Sequence, residues 1–238
     1  MNGPLFRCSS IGKLMGESRT KGAVLSDTAK AYVRELASQA IYGVDFEVSS
    51  KQMEKGDECE SAGLELYNRV FGKNLTKNVD RRTDDYLTGE SDLPDVDEVT
   101  DIKIAWSVAT FPLSNEDIAA TQRTLYEWQL RSYCRLWNKP RGRIAYCLVD
   151  TPERLIGFEP LPLHIVSHIP EHLRVTTWVV ERDMAKEAAI IEKVKAARAY
   201  YAEVIREFDR THRIGGVVHE SAQSLQPAAT APILELTF

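Results

Sequence analysis

Apolar and polar positions alternate along this chain with two periods, and the helical one dominates. Over residues 28–41, Val33, Leu36, Ala37 and Ile41 repeat at helical spacing, with Ser26 or Asp27 placed to cap the helix and Gly43 to end it. A second helix is expected from Ser50 to Phe71, stopped by Gly72, with Met53, Ala62, Leu66, Val70 and Phe71 as its buried stripe. A third runs from Glu116 to Trp137 behind a Ser114 or Asn115 cap, with Leu125, Gln129, Tyr133 and Leu136 along one face. A fourth covers Asp183 to Asp209, where Met184, Ile191, Val194, Ala197, Tyr201, Val204 and Phe208 form the stripe. Residues 1–25 read as loop, except that Ser10 can cap a short helix holding Ile11, Leu14 and Met15.

Strand-like runs fall between the helices. Tyr86 and Leu87 mark one strand, and Val99, Ile102, Ile104 and Trp106 mark another; the segment LPDVDE between them is turn-like because of Pro94 and its aspartates. Asp92 then closes the first strand and lies beside Asp101 across the hairpin. Arg141 to Asp150 reads as a mostly buried central strand, and residues 174–182 as an edge strand or a strand-like arm. Together these give an α/β (α+β) chain with a central mixed β-sheet flanked by helices. Residues 1–210 are expected to form one domain. Residues 211–238 are expected to be a flexible tail, because Ser221–Ala231 is rich in Ser, Gln, Ala and Pro. The closing ILELTF has two readings, an inert end or a docking peptide.

Composition narrows this picture. The chain has 238 residues, 43% hydrophobic and 27% charged, enough for one sizeable core. Its net charge of −5 gives no bulk reason to expect nucleic acid, although a local basic track is compatible with it. No signal-peptide pattern opens the sequence and no apolar run is long enough to span a membrane, so a cytoplasmic protein is expected. Cys8, Cys59, Cys134 and Cys147 make no CxxC pair, which argues for free thiols over structural zinc. His164, His168 and His172 are spaced four apart, but Pro170 interrupts any helix carrying them, so a structural or surface role is the better reading.

The chemistry concentrates between residues 84 and 103. Asp84, Asp85, Glu90, Asp92, Asp95, Asp97, Glu98 and Asp101 occur there with no Lys or Arg between them, and Lys103 follows. Carboxylates this dense must point into water or share a cation. Asp101 and Lys103 are two apart on a strand, hence on the same face and roughly 7 Å apart along the backbone. Two carboxylates offer hard oxygens to Mg²⁺, and a lysine beside them can orient a water and offset phosphate charge. Read alone, D-x₈-D-x-K also fits a solvated acidic hairpin. Upstream, Lys73, Lys77, Arg81 and Arg82, with Lys51, Lys55 and Arg69, form a basic region readable as phosphate contacts or as an ordinary solubilising face.

Asp92, Asp101-x-Lys103 and Gln129-x-x-x-Tyr133, in this order behind KGDECESAGLEL with its Glu60, resemble the PD-(D/E)xK nuclease superfamily. The branch they resemble is the RecB-like and lambda-exonuclease (YqaJ)-like phage exonucleases. DIKIAWS looks like the YqaJ-type lysine strand, and FRCSS loosely resembles the phosphate-binding entry of lambda-type exonucleases through Ser10 and Arg7. Ser91 stands where the family pattern has proline, and Asp101 where it more often has Glu. The resemblance implies a restriction-endonuclease-like core. It implies Mg²⁺, for which Mn²⁺ can substitute, held by Glu60, Asp92, Asp101 and the Ile102 carbonyl, with Gly56 giving the Glu60 helix a close approach. Lys103 would position the attacking water, Gln129 and Tyr133 would hold the DNA strand, and Ser10, Arg81 and Arg82 would be further DNA contacts. The implied activity is a 5'–3' exonuclease on linear double-stranded DNA in phage-type recombination, as a homo-oligomer, even a ring, working with a single-strand annealing protein. Two other classes stay open: a single-strand or structure-specific RecB-like endonuclease, and a non-catalytic DNA-binding or assembly protein on a nuclease scaffold.

Overall fold

The computed structural model describes residues 3–46 and 49–212. The expected tail, including ILELTF, lies outside the described residues, apart from 211 and 212, which continue the last helix. The order of elements is β1 (Phe6–Arg7), a 3₁₀ helix (Cys8–Leu14), α1 (Asp27–Tyr42), α2 (Lys51–Phe71), β2 (Arg82–Thr83), β3 (Leu87–Gly89), β4 (Leu93–Pro94), β5 (Glu98–Ile104), α3 (Asn115–Trp137), β6 (Arg141–Cys147), α4 (Glu153–Ile156), β7 (Val175–Glu181) and α5 (Met184–His212). Among the described residues no helix is long and apolar enough to cross a membrane.

Local chemistry sets the helix ends. The hydroxyls of Ser26, Ser50 and Ser114 accept from the amides of Ala29, Met53 and Asp117, while Gly43 and Gly72 turn the chain out of α1 and α2 with φ of 63° and 60°. Ser10 is not a cap. It lies inside the 3₁₀ helix, whose flanking residue is Arg7, with its side chain near the Tyr32 hydroxyl on α1.

The main sheet has the order β4-β5-β6-β7, with only β5 and β6 parallel. This is the mixed sheet expected from the sequence, with β6 central and β7 at the edge. A second sheet, β1-β3-β2, pairs Phe6 with Leu87 and packs with α1, α3 and α5 into the largest core. The main sheet is covered on both faces. Side chains of β5 alternate, so Ile102 and Ile104 meet α2 while Asp101 and Lys103 face α3.

Several expectations about faces need correction. On α2, Met53 and Phe71 are exposed, and the buried face is Lys55, Cys59, Gly63, Leu66 and Tyr67. Gly63, not Gly56, is the close-approach glycine. A Cβ there would lie 2.4 Å from Ile104 Cδ1, whereas one at Gly56 would meet nothing within 4 Å. Lys55 does not belong to the basic region. It is 1% exposed, and its ammonium donates to the carbonyls of Ala105 (2.7 Å), Trp106 (2.9 Å) and Val149 (3.0 Å), tying the end of β5 to the chain leaving β6. On α5, Met184 is exposed and Glu187 is buried against Arg182, because a polar position can line a core when its charge is paired there.

Candidate active site

The acidic corner is built where the chain leaves the small sheet and enters the large one. Gly89 passes so close to Cys8 and Tyr133 that a Cβ would lie 2.9 Å from each, which fixes the path of β3 across α3. Ser91 is buried and donates to the Thr100 carbonyl at 3.3 Å, a cross-strand tie at the position where the motif carries proline. Asp92 follows, one residue ahead of β4 and not at the end of the preceding strand as expected. Because Leu93 pairs with Thr100, Asp92 still comes beside Asp101. Its Oδ2 accepts from the amide of Ile102 at 2.6 Å.

Asp101 is 3% exposed. Gln129 Nε2 donates to its Oδ1 at 2.8 Å and also reaches Tyr133 Oη at 3.3 Å, so the polar pair on α3 is spent on orienting this carboxylate. Lys103 Nζ lies 2.6 Å from Asp101 Oδ2, yet that buried oxygen accepts no hydrogen bond of acceptable geometry. Burial, with the Asp101 charge behind it, pushes the Asp92 carboxyl up to about 8. Burial alone would lower the Lys103 pKa, but the Asp101 charge overrides it and the ammonium is held above its usual range. Lys103 also stands 5.5 Å over the ring of Tyr126, whose hydroxyl is 3.0 Å from that of Tyr146.

Glu60 reaches the corner from α2, close enough for its charge to raise Asp92, but its Oε2 is paired with Lys77. Among the described residues, no three side chains of metal-ligating type already converge on one point. Asp92, Asp101, the Ile102 backbone, Lys103, Gln129 and Tyr133 are thus brought together, with Glu60 at their edge. The donor set fits a divalent cation that keeps several waters: two adjacent carboxylates, a buried oxygen met by the Lys103 ammonium and by no other donor among the described residues, and an acid pushed up by burial with a second carboxylate behind it.

The remaining expected contacts lie elsewhere. Ser10 lies near the Tyr32 hydroxyl. Arg81 pairs with Glu90 at 3.2 Å, and Arg82 lies 5.4 Å over the Trp137 ring at the end of α3. His164 is fully buried, between Thr151 Oγ1 (3.1 Å) and Glu159 Oε2 (3.0 Å), while His168 and His172 are exposed. All four cysteines are free and buried. Two residues that shape the corner escaped the sequence reading. Asn78 donates from its amide to the Asp92 carbonyl at 2.8 Å and from Nδ2 to Ser91 O at 2.9 Å, and no local pattern announces such a clamp. Tyr126 had a signal, since it sits one helical turn before Gln129 on the same helix.

No family model matches the chain, nor does a curated protein. Among solved structures, an alkaline exonuclease from Laribacter hongkongensis aligns over 87% of this chain and 92% of its own with a TM-score of 0.61 at 17% identity. The structure of that protein in complex with dAMP gives 0.55 at 19%. Both share the fold. A phage-related exonuclease from Haemophilus somnus 129PT is 31% identical, with a TM-score of 0.81 over 87% of this chain and 97% of its own. By that identity across nearly the whole relative, the chain belongs to the phage-related exonuclease family.

Proposed function

We propose that this protein is a Mg²⁺-dependent exonuclease that hydrolyses phosphodiester bonds at the ends of linear double-stranded DNA, with 5'–3' polarity, in phage-type recombination. The observation that carries it is the oriented Asp101. Gln129 fixes one of its oxygens, Lys103 faces the other, and the pushed-up Asp92 lies alongside. Asp92, Asp101 and the Ile102 carbonyl, with Glu60 swinging in, would hold the cation. Bound there, Mg²⁺ supplies Lewis-acid polarisation of the phosphate and a lowered pKa for water.

The chain's own groups do the rest. Gln129 and Tyr133 keep Asp101 in one rotamer. Lys103 offers a fixed positive charge where the attacking water and the phosphate oxygens gather, and Tyr126 with Tyr146 walls that ammonium on one side. The mononucleotide in the Laribacter relative agrees with release of single nucleotides from an end. An oligomer working with an annealing protein belongs to the same reading, as does a nuclease domain followed by a tail from about residue 211.

Asp92→Ala and Asp101→Ala test the assignment. Each is expected to abolish Mg²⁺-dependent cleavage while leaving the circular dichroism spectrum unchanged. Near-normal turnover in either folded variant would remove the site.

A further inference from the structure

Lys77 has no role in the reaction described above. It sits in the irregular stretch between α2 and β2, with 51% of its side chain exposed, and its ammonium pairs with Glu60 Oε2. That bond, with the charges of Asp92 and Glu90 behind it, holds its pKa above the usual lysine value. The next residue fixes its reach. Asn78 is bonded to the backbone of Asp92 and Ser91 and, through Nδ2, to the Asp80 carbonyl at 2.9 Å. A half-exposed ammonium is thereby tethered within one residue of the acidic corner. Lys103 and Lys55 are less open to solvent, the one held against Asp101 and the other enclosed by three carbonyls.

A carboxylate paired with an ammonium binds a divalent cation less tightly than a free one, because the two positive groups repel one another across it. The ammonium at Glu60, unlike that at Asp101, is half-exposed and able to turn away. A phosphodiester arriving at the corner offers the ammonium another anion at short range. Resting on the cation-dependent nuclease reading above, we infer that Lys77 is a positioning residue: it yields Glu60 to the divalent cation and takes a substrate phosphate in exchange. Cation and DNA then strengthen each other's binding, and by linkage the factor is the same in both directions.

The test uses Lys77→Gln and Lys77→Arg in the full chain, with Ca²⁺ alone as the cation probe and an end-labelled duplex as the DNA probe. Calorimetry gives Ca²⁺ affinity without DNA; fluorescence anisotropy gives DNA affinity with and without Ca²⁺. Lys77→Gln is expected to bind Ca²⁺ alone more tightly, by about three- to tenfold, since one competing charge is gone. The same variant is expected to lose most of the tightening of DNA binding by Ca²⁺, and Lys77→Arg to keep it. A structural defect would weaken both affinities together, so the opposed signs are diagnostic. Unchanged Ca²⁺ affinity, or an equal loss of DNA affinity with and without Ca²⁺, overturns the exchange and leaves a plain surface lysine. Wild-type protein that binds neither probe overturns the nuclease reading itself.

Discussion

At the scale of single residues, the corner joins charges that would be unstable apart. Lys103 is the one whose removal separates binding from chemistry. On the proposed reading, Lys103→Ala leaves Asp92 and Asp101 able to hold a cation but deletes the charge that would stand beside the reacting phosphate. Single-turnover cleavage is expected to fall by about 10²–10³, while DNA affinity in Ca²⁺ falls far less. Full rescue by excess Mg²⁺, or equal losses in both, would make Lys103 a phosphate-binding surface residue. Asp92 makes a second, pH-dependent prediction. Its folded pKa, about 8, lies above the ordinary carboxylate value, so the folded protein keeps this proton longer than the unfolded chain does. Without divalent cations its contribution to stability is present at low pH and is lost as pH rises toward about 8. On the proposed reading a divalent cation needs the ionised form, so Mg²⁺ affinity is expected to run the other way and to climb with pH up to about 8. Calorimetry between about pH 6 and about pH 9 is expected to show that climb, and a flat profile would contradict the environment described for Asp92.

At the scale of elements, what the sequence disclosed was local. The caps at Ser26 and Ser114, each one of two candidates, the helix start at Ser50 and the stops at Gly43 and Gly72 could be read because each acts on its own helix end within three residues. Asp92 and Asp101-x-Lys103 could be read because a hairpin joins them. Gln129 was visible as a polar residue in an apolar stripe, but its partner Asp101 is 28 residues away, and only the family resemblance linked them. The face that α2 buries was read only at Leu66 and Val70, since Lys55 looks like a solvent residue until three carbonyls surround it. Two predictions follow from that face. Lys55→Met leaves those carbonyls without a donor and should cost about 2 kcal/mol, a loss of roughly 4–8 °C in Tm. An unchanged Tm would mean that the lysine is not a clamp. Gly63→Ala crowds Cys147 and Ile102, each 3.3 Å from the new Cβ, as well as Ile104, and overpacking of this kind costs about 1–3 kcal/mol. Gly56→Ala meets nothing and should gain up to about 1 kcal/mol of helix propensity. Thermal melts of the two variants should therefore shift in opposite directions, and shifts of the same sign would reverse the packing assigned to α2.

At the scale of the whole molecule, the sheet is a platform between two helices with unlike duties. α2 supplies the apolar cover and brings Glu60 to one edge, while α3 supplies the polar pair that orients Asp101 from the opposite face. The 3₁₀ helix, α1 and α5 buttress α3 from behind through the larger core, so the Gln129 side of the site rests on rigid packing. The Glu60 side rests on an ion pair with the half-exposed Lys77, the pair through which cation and DNA are inferred to act on each other. Cation-dependent hydrolysis from DNA ends is decided by offering the protein end-labelled linear duplex and closed circular duplex of the same sequence, each with Mg²⁺ and with a chelator. Labelled mononucleotides are expected from the linear DNA in Mg²⁺ alone, with the circle intact throughout; cleavage of the circle, or undiminished digestion under chelation, would rule such hydrolysis out.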